Sequence, residues 1–347
     1  MSTISLRHFQ HWLLSLLVTF TVIACSSSSS PTPTATDCHI VSHALGDVEI
    51  CGQPQKVVVL GAHSLDLLLS LGEQPAGFGS ILPLSTGERI DQPETQIPYL
   101  GQFVTTQPIN VGSGNAPSLE LLAQFKPDLI VGEAGRNRDN YDLLAQIAPT
   151  LLWDVRTQLG QWQQNIRTLA QALGDENRAE EAIAEYDKLV AAARKDLHQV
   201  IAASPQALVL GADRLNSGNL IAITPRSYLG ELMESLGFEL VTPPSNGNSA
   251  PLSIEALPEL DEADHIFVLG YNLDTVQAAK TVETDELLRL QTAGIQQDWA
   301  ENAIAQSLTA TKADQVYFAT YYKWNGLNGP IGTELILDDL RQLLLNR

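Results

Sequence analysis

Residues 176–201 read ENRAEEAIAEYDKLVAAARKDLHQVI, a run of 26 positions with neither Gly nor Pro. As a helix rising 1.5 Å per residue it would be about 39 Å long, enough to bridge two lobes. The helical pattern opens upstream, at Gln161, and runs to about Ala202. It breaks once, at Gly174-Asp175, where Asp175 is placed to cap the longer segment. On both sides of this stretch, short apolar runs alternate with helical ones. Upstream are Val57-Val58-Val59-Leu60-Gly61, a helix from Ser64 (as N-cap) to Leu71 closed by Gly72, then Ala76–Gly79, Leu129–Gly132 and Leu151–Trp153. Downstream are Ala207–Gly211, Leu220–Ile223, Ile266–Gly270 and Val316–Ala319, followed by a closing amphipathic helix, Thr333–Leu345. Strand and helix in alternation imply parallel sheets with helical crossovers. The expected fold is therefore α/β: two mostly parallel-sheet lobes, residues 54–160 and 203–347, bridged by the helical segment 161–202.

A short internal repeat supports two related lobes. Ser118-Leu119-Glu120 followed by Leu122, Phe125, Asp128, Ile130 and Val131 matches Ser253-Ile254-Glu255 followed by Leu257, Leu260, Asp264, Ile266 and Val268. Each copy reads as a Ser-capped short helix, an acidic turn and an apolar strand.

Composition removes several classes of function. With 347 residues, 44% hydrophobic and 17% charged, the chain can bury a sizeable core. Forty acidic against twenty basic residues give a net charge of −20, which repels phosphate backbones and argues against nucleic acid as a partner. The three Cys form no CxxC or Cys/His cluster with zinc spacing. His63-Ser64 with Asp66 invite a hydrolase reading. Adjacent residues make a poor base–nucleophile pair, however, and no GxSxG elbow is present. No GxGxxG or GK[ST] phosphate loop is present either.

The first residues read as an address. Arg7 precedes a twelve-residue apolar stretch, Trp12–Ile23, of signal-peptide length and too short to span a bilayer. Val22-Ile23-Ala24-Cys25 resembles a bacterial lipobox. Residues 1–24 are thus expected to be a lipoprotein signal peptide, with Cys25 the lipidated first residue of the mature chain. Residues 25–37, rich in Ser, Thr and Pro, form a polar tether with nothing to bury. In an oxidising compartment Cys38 and Cys51 should pair across a hairpin spanning 38–53 with its turn at Gly46-Asp47. His39 and His43 are expected to be exposed on that hairpin.

The stretch Pro117–Val131, with Gly135-Arg136 to Tyr141-Asp142, Ile147–Thr150, Trp324-Asn325-Gly326, Gly329–Ile331 and Ile336–Leu340, resembles the helical-backbone solute-binding proteins of ATP-driven importers. Within them it resembles the ferric-siderophore branch, over about residues 54–345. The resemblance implies a class III periplasmic binding fold, in which a lipid-anchored periplasmic protein holds a ferric siderophore between two lobes and hands it to an ABC permease dimer in the inner membrane. A monomer without intrinsic cofactor is expected, its ligand being the ferric-siderophore complex. Haem or vitamin B12 is the alternative cargo, and a fold turned from transport to structure or sensing a further one.

A bulky, often anionic ferric complex needs cations and donors facing its oxygens and aromatic faces against its shell. Such groups belong on loops past the carboxyl ends of strands. Arg136 is the leading candidate by resemblance, with Arg138 two residues on; Arg214, Arg226 and Ser227 follow later strands. Tyr271, Tyr322 and Trp324 are placed on loops past strand ends, as cleft lining. His63 could touch ligand, or less favourably ligate haem iron or ferric ion directly. By resemblance, Glu120 and Glu255 would dock one permease subunit each.

Overall fold

The computed structural model describes residues 38–80, 86–155, 159–215, 220–271 and 284–345. The signal-peptide, lipidation and tether readings fall on residues 1–37 and lie outside these. The body forms one compact unit holding two main sheets and a hairpin. In the first half, β3 (Val57–Leu60), β4 (Gly77–Ser80), β5 (Ile109–Ser113), β6 (Leu129–Glu133) and β7 (Thr150–Trp153) lie in the order β5-β4-β3-β6-β7, all parallel. In the second, β8 (Gln206–Ala212), β9 (Leu220–Ile223), β11 (Ser249–Leu252), β12 (His265–Gly270) and β13 (Val316–Thr320) lie in the order β11-β9-β8-β12-β13. The two-residue β10 (Glu239–Leu240) runs beside the start of β8. Each sheet starts at its centre and winds outward in the same sense. They differ in β9, which is antiparallel to both its neighbours.

The sequence repeat has a structural counterpart. Asp128, just before β6, accepts the backbone N–H of Gln55 and Lys56 at the entry to β3. Asp264, just before β12, accepts that of Gln206 at the start of β8. In both halves one carboxylate therefore fixes the entry of the central strand. Ser118 caps α2 (Leu119–Phe125) through the N–H of Leu121. Its counterpart differs: residues 254–260 form a 3-10 helix around Pro258, and Ser253 makes no capping bond. Proline lacks the N–H and crowds the preceding turn, which blocks an α-helix there.

The bridging helix is observed as α5 (Asn177–Ala203), preceded by α4 (Gln161–Leu173). Asp175 does not cap it. Its carboxylate pairs with Arg178 at 2.9 Å, and Arg178 also bonds Leu71 O and Glu73. The start of α5 is thus bolted to the first half. Val190, Ala193, Leu197 and Ile201 of α5 join a hydrophobic cluster that includes Leu65 and Val131 of the first half and Val209 and Phe267 of the second. The closing helix α9 (Pro330–Leu345) adds Ile336, Leu337, Leu340 and Leu344.

Two local expectations are corrected. The helix after β3, α1, spans Ala62–Ser70. Gly61, at φ 122°, ends the strand, so Ser64 is buried inside the helix rather than capping it. In the hairpin, β1 (Cys38–His43) and β2 (Gly46–Cys51) turn at Ala44-Leu45, two residues earlier than the sequence suggested. Cys38 faces Cys51 and is disulfide-bonded to it. The histidines dock the hairpin: His39 Nε2 lies 3.0 Å from Gln171 O. The N–H of Leu152 donates to His43 Nδ1 at 3.3 Å, and His43 Nε2 is 3.1 Å from the Tyr141 hydroxyl. Burial lowers the His43 pKa.

Candidate ligand-binding cleft

The carboxyl ends of the strands in both halves carry the candidate residues. Arg136 sits on the short helix α3 (Ala134–Asn137), directly after β6. Its Nε donates to Glu133 Oε2 at 3.0 Å and one terminal nitrogen to Asn115 Oδ1 at 3.0 Å. Glu133 is buried, whereas the Arg136 side chain stays 39% exposed, so a buried anion holds a cation whose remaining donors face outward. Asn137, fully buried, braces this arrangement by donating to Gly114 O at 2.8 Å and accepting the N–H of Glu133. A Cβ at Gly132 would lie 2.6 Å from Asn137 Oδ1, so a side chain there would displace this brace. Arg138 is exposed on the next turn.

The second half contributes through α8 (Tyr321–Gly326), which follows β13 directly. Residues 321–324 are thus helical, not a loop. Tyr322 is half-buried and stacks on Tyr99 of the first half, with ring centroids 6.1 Å apart and planes at 25°. Its phenol pKa is raised, chiefly by burial; Arg136 and Glu133 act on it with opposite signs. Tyr322 thus lies within electrostatic range of the Arg136–Glu133 pair. Tyr271 packs edge-on to Tyr321 at 5.2 Å, and burial raises its phenol as well.

Several candidates are committed elsewhere. Trp324 is fully buried, tilted against Phe267 at 5.5 Å, and donates to Asp339 at 2.8 Å. The helical twist of α8 turns it into the core, so it does not line an open surface. Ser227 caps α6 (Tyr228–Leu236), accepting the N–H of Gly230 and donating to Thr224 O. Arg226, beside it, is exposed. Arg214 makes a two-pronged pair with Asp298 on α7 (Thr284–Glu301), at 2.7 and 2.6 Å. That bond raises the Arg214 pKa and lowers that of Asp298.

His63 lies inside α1, 1% exposed and edge-on to Trp153, out of reach of a metal in an open cleft. With Gln161, Trp162, Asn165, Tyr228 and Glu231 it lines a cavity of about 10 Å³ in the seam between the halves, room for one water. Asp66, three residues on, points to α9 instead: it accepts the N–H of Ile331 at 3.1 Å and of Gly332 at 3.0 Å. His63, Ser64 and Asp66 thus form no nucleophile relay. Glu120 and Glu255 are both exposed, each in the first turn of its helix.

Tyr99 and Asp66 are the residues whose roles the sequence did not announce. Tyr99 sits between Pro98 and Gly101 in a stretch without helix or strand periodicity, which marks only an irregular turn.

Among known families, a model described as periplasmic binding protein matches residues 57–321. The chain belongs to that family. It is 27% identical over 344 residues to the Fe(3+)-citrate-binding protein YfmC of Bacillus subtilis, covering 96% of this chain and 95% of that one. It is 25% identical to the "Probable siderophore-binding lipoprotein YfiY" of the same organism, covering 98% of each. Among solved structures, Staphylococcus aureus SirA complexed with staphyloferrin B superposes with a TM-score of 0.67 and 29% identity. That match covers 88% of this chain and 98% of SirA. The two sheets joined by α5 are the class III arrangement of this family, whose members are binding proteins rather than enzymes. Among the described residues no helix is long and apolar enough to cross a membrane.

Proposed function

We propose that this periplasmic binding protein captures a ferric-siderophore complex between its two halves and delivers it to an ABC permease dimer in the inner membrane for iron uptake. Cys25 carries a lipid anchor after removal of residues 1–24. The chain works as a monomer in the periplasm, and the ferric complex is its cargo rather than a resident cofactor. Arg136 carries the reading: in a chain of charge −20, a buried glutamate holds it half-exposed within electrostatic range of an aromatic ring. That combination suits an anionic complex with a flat organic shell. Arg138, Arg226 and Tyr271 complete the contact set. The relatives that bind ferric citrate, or are named for siderophores, support the cargo. Exposed Glu120 and Glu255, at corresponding points of the two halves, are the permease contacts. Titrating the purified protein with ferric citrate, a ferric hydroxamate and a ferric catecholate, followed by absorbance and intrinsic fluorescence, tests the reading. Saturable binding to at least one is expected; binding only haem or cobalamin would overturn it.

A further inference from the structure

Tyr99 has a left-handed backbone, φ 61°. Glycine takes that conformation freely and asparagine readily, but a bulky aromatic does not, so something must hold it. On its own half, Ile97 and Leu100 on either side are fully buried, and the N–H of Leu100 donates to Pro98 O. These anchors fix the segment and direct the Tyr99 side chain to the other half. There its hydroxyl lies 2.6 Å from Thr320 Oγ1, at the end of β13, the edge strand of the second sheet. Its ring stacks on Tyr322, and the ammonium of Lys323 stands 4.9 Å from the ring centroid. Lys323 is itself held by Asp339 at 2.7 Å. One side chain thus meets three residues of a four-residue stretch, Thr320, Tyr322 and Lys323, of the opposite half. A backbone outlier kept in place by such contacts points to a function.

We propose that Tyr99 is a latch between the halves, a positioning residue that fixes the angle across the cleft and the place of the Tyr322 ring within it. It acts through Tyr322 and need not touch ligand itself. The Tyr322 part rests on the cargo reading above; the latch does not.

Three variants of the full body separate this from a simple turn role: Tyr99→Gly, Tyr99→Phe and Thr320→Val. A turn residue with no latch role would welcome glycine at φ 61°, so Tyr99→Gly would match or exceed wild type. The latch predicts the reverse. Without ligand, hydrogen–deuterium exchange in residues 316–326 should quicken about tenfold in Tyr99→Gly, as expected when an anchored contact becomes local opening. Affinity for whichever of ferric citrate, the hydroxamate or the catecholate binds wild type should fall by about tenfold. Tyr99→Phe and Thr320→Val each remove the hydroxyl bond while keeping the packing. Each should weaken binding about threefold, and the double variant no further, because they break one shared bond. These two carry the test if the glycine variant does not fold. Unchanged exchange in 316–326, or additive losses in the double variant, would overturn the latch. Faster exchange with unchanged affinity would overturn its positioning role. If wild type binds none of the three complexes the cargo reading fails, and the exchange experiment still decides the latch.

Discussion

Asp66, on a helix of the first half, accepts the backbone N–H of Gly332 at 3.0 Å in the first turn of the last helix of the chain. The N–H groups of Ile331 and Gly329 and the hydroxyl of Ser70 also donate to it. Gly329 and Gly332 make the approach feasible, because a Cβ at either would lie within 2.7 Å of the carboxylate. The carboxyl is fully buried. That burial raises its pKa to about 7, more than its hydrogen bonds lower it.

This sets a pH dependence. The folded pKa lies above the unfolded value near 4, so the folded state holds the extra proton between the two. Stability from this group is therefore greatest below about pH 4 and is lost as the pH rises through about 7. The loss is about 1.4 kcal/mol for each unit separating the two values. In urea unfolding at about pH 4.5 and about pH 7.5, wild type should lose more stability between the two than Asp66→Asn, which cannot titrate. Parallel curves for the two proteins would contradict this.

Arg136→Ala should weaken ferric-complex binding by about 1.5–3 kcal/mol, the range for a hydrogen bond to a charged group. The same change leaves Glu133 buried without its cation, which costs stability independently. Arg136→Ala combined with Glu133→Gln should therefore recover melting temperature but not affinity. Recovery of both would mean that Arg136 serves only to neutralise Glu133.

Trp324 should not report on ligand. Being buried against Phe267, it should leave ligand-induced quenching intact when replaced by Phe. Loss of its bond to Asp339 should cost about 1.5–3 kcal/mol. Disappearance of the quench in a folded Trp324→Phe protein would return this residue to the cleft.

Replacing Glu120 and Glu255 together by Ala should leave affinity unchanged and melting nearly so, since each gives up only a helix-dipole contact of a few tenths of a kcal/mol. Iron uptake by cells should collapse. Uptake equal to wild type in a deletion strain would reduce both residues to their dipole role.

Much of the architecture could be read from the chain because its signals are local. Apolar runs ending in Gly marked β3, β6 and β12, and the absence of Gly and Pro marked α5 to within a residue or two. Ser118 capped where its pattern said, whereas Pro258 overrode the same pattern in the second copy. What escaped depends on contacts distant in sequence. Trp324 read as a loop aromatic because nothing local reveals that α8 turns it onto Phe267. Arg214 read as a free cation because Asp298 lies 84 positions away. Tyr99 and Asp66 reach Thr320 and Gly332 across separations of 221 and 266 residues, which no periodicity encodes.

The shared cluster has a consequence for how the chain is made. Core residues of the first half, Leu65 among them, pack in one cluster with Leu337 and Leu340 of the final helix. The Asp66 carboxylate likewise finds its N–H partners only there. During synthesis the first half is complete in sequence long before those partners leave the ribosome. It stays short of its final packing until the residues of α9 have emerged. For the export proposed above this delay is useful, because a chain that must be threaded through a membrane has to remain unfolded until it has crossed.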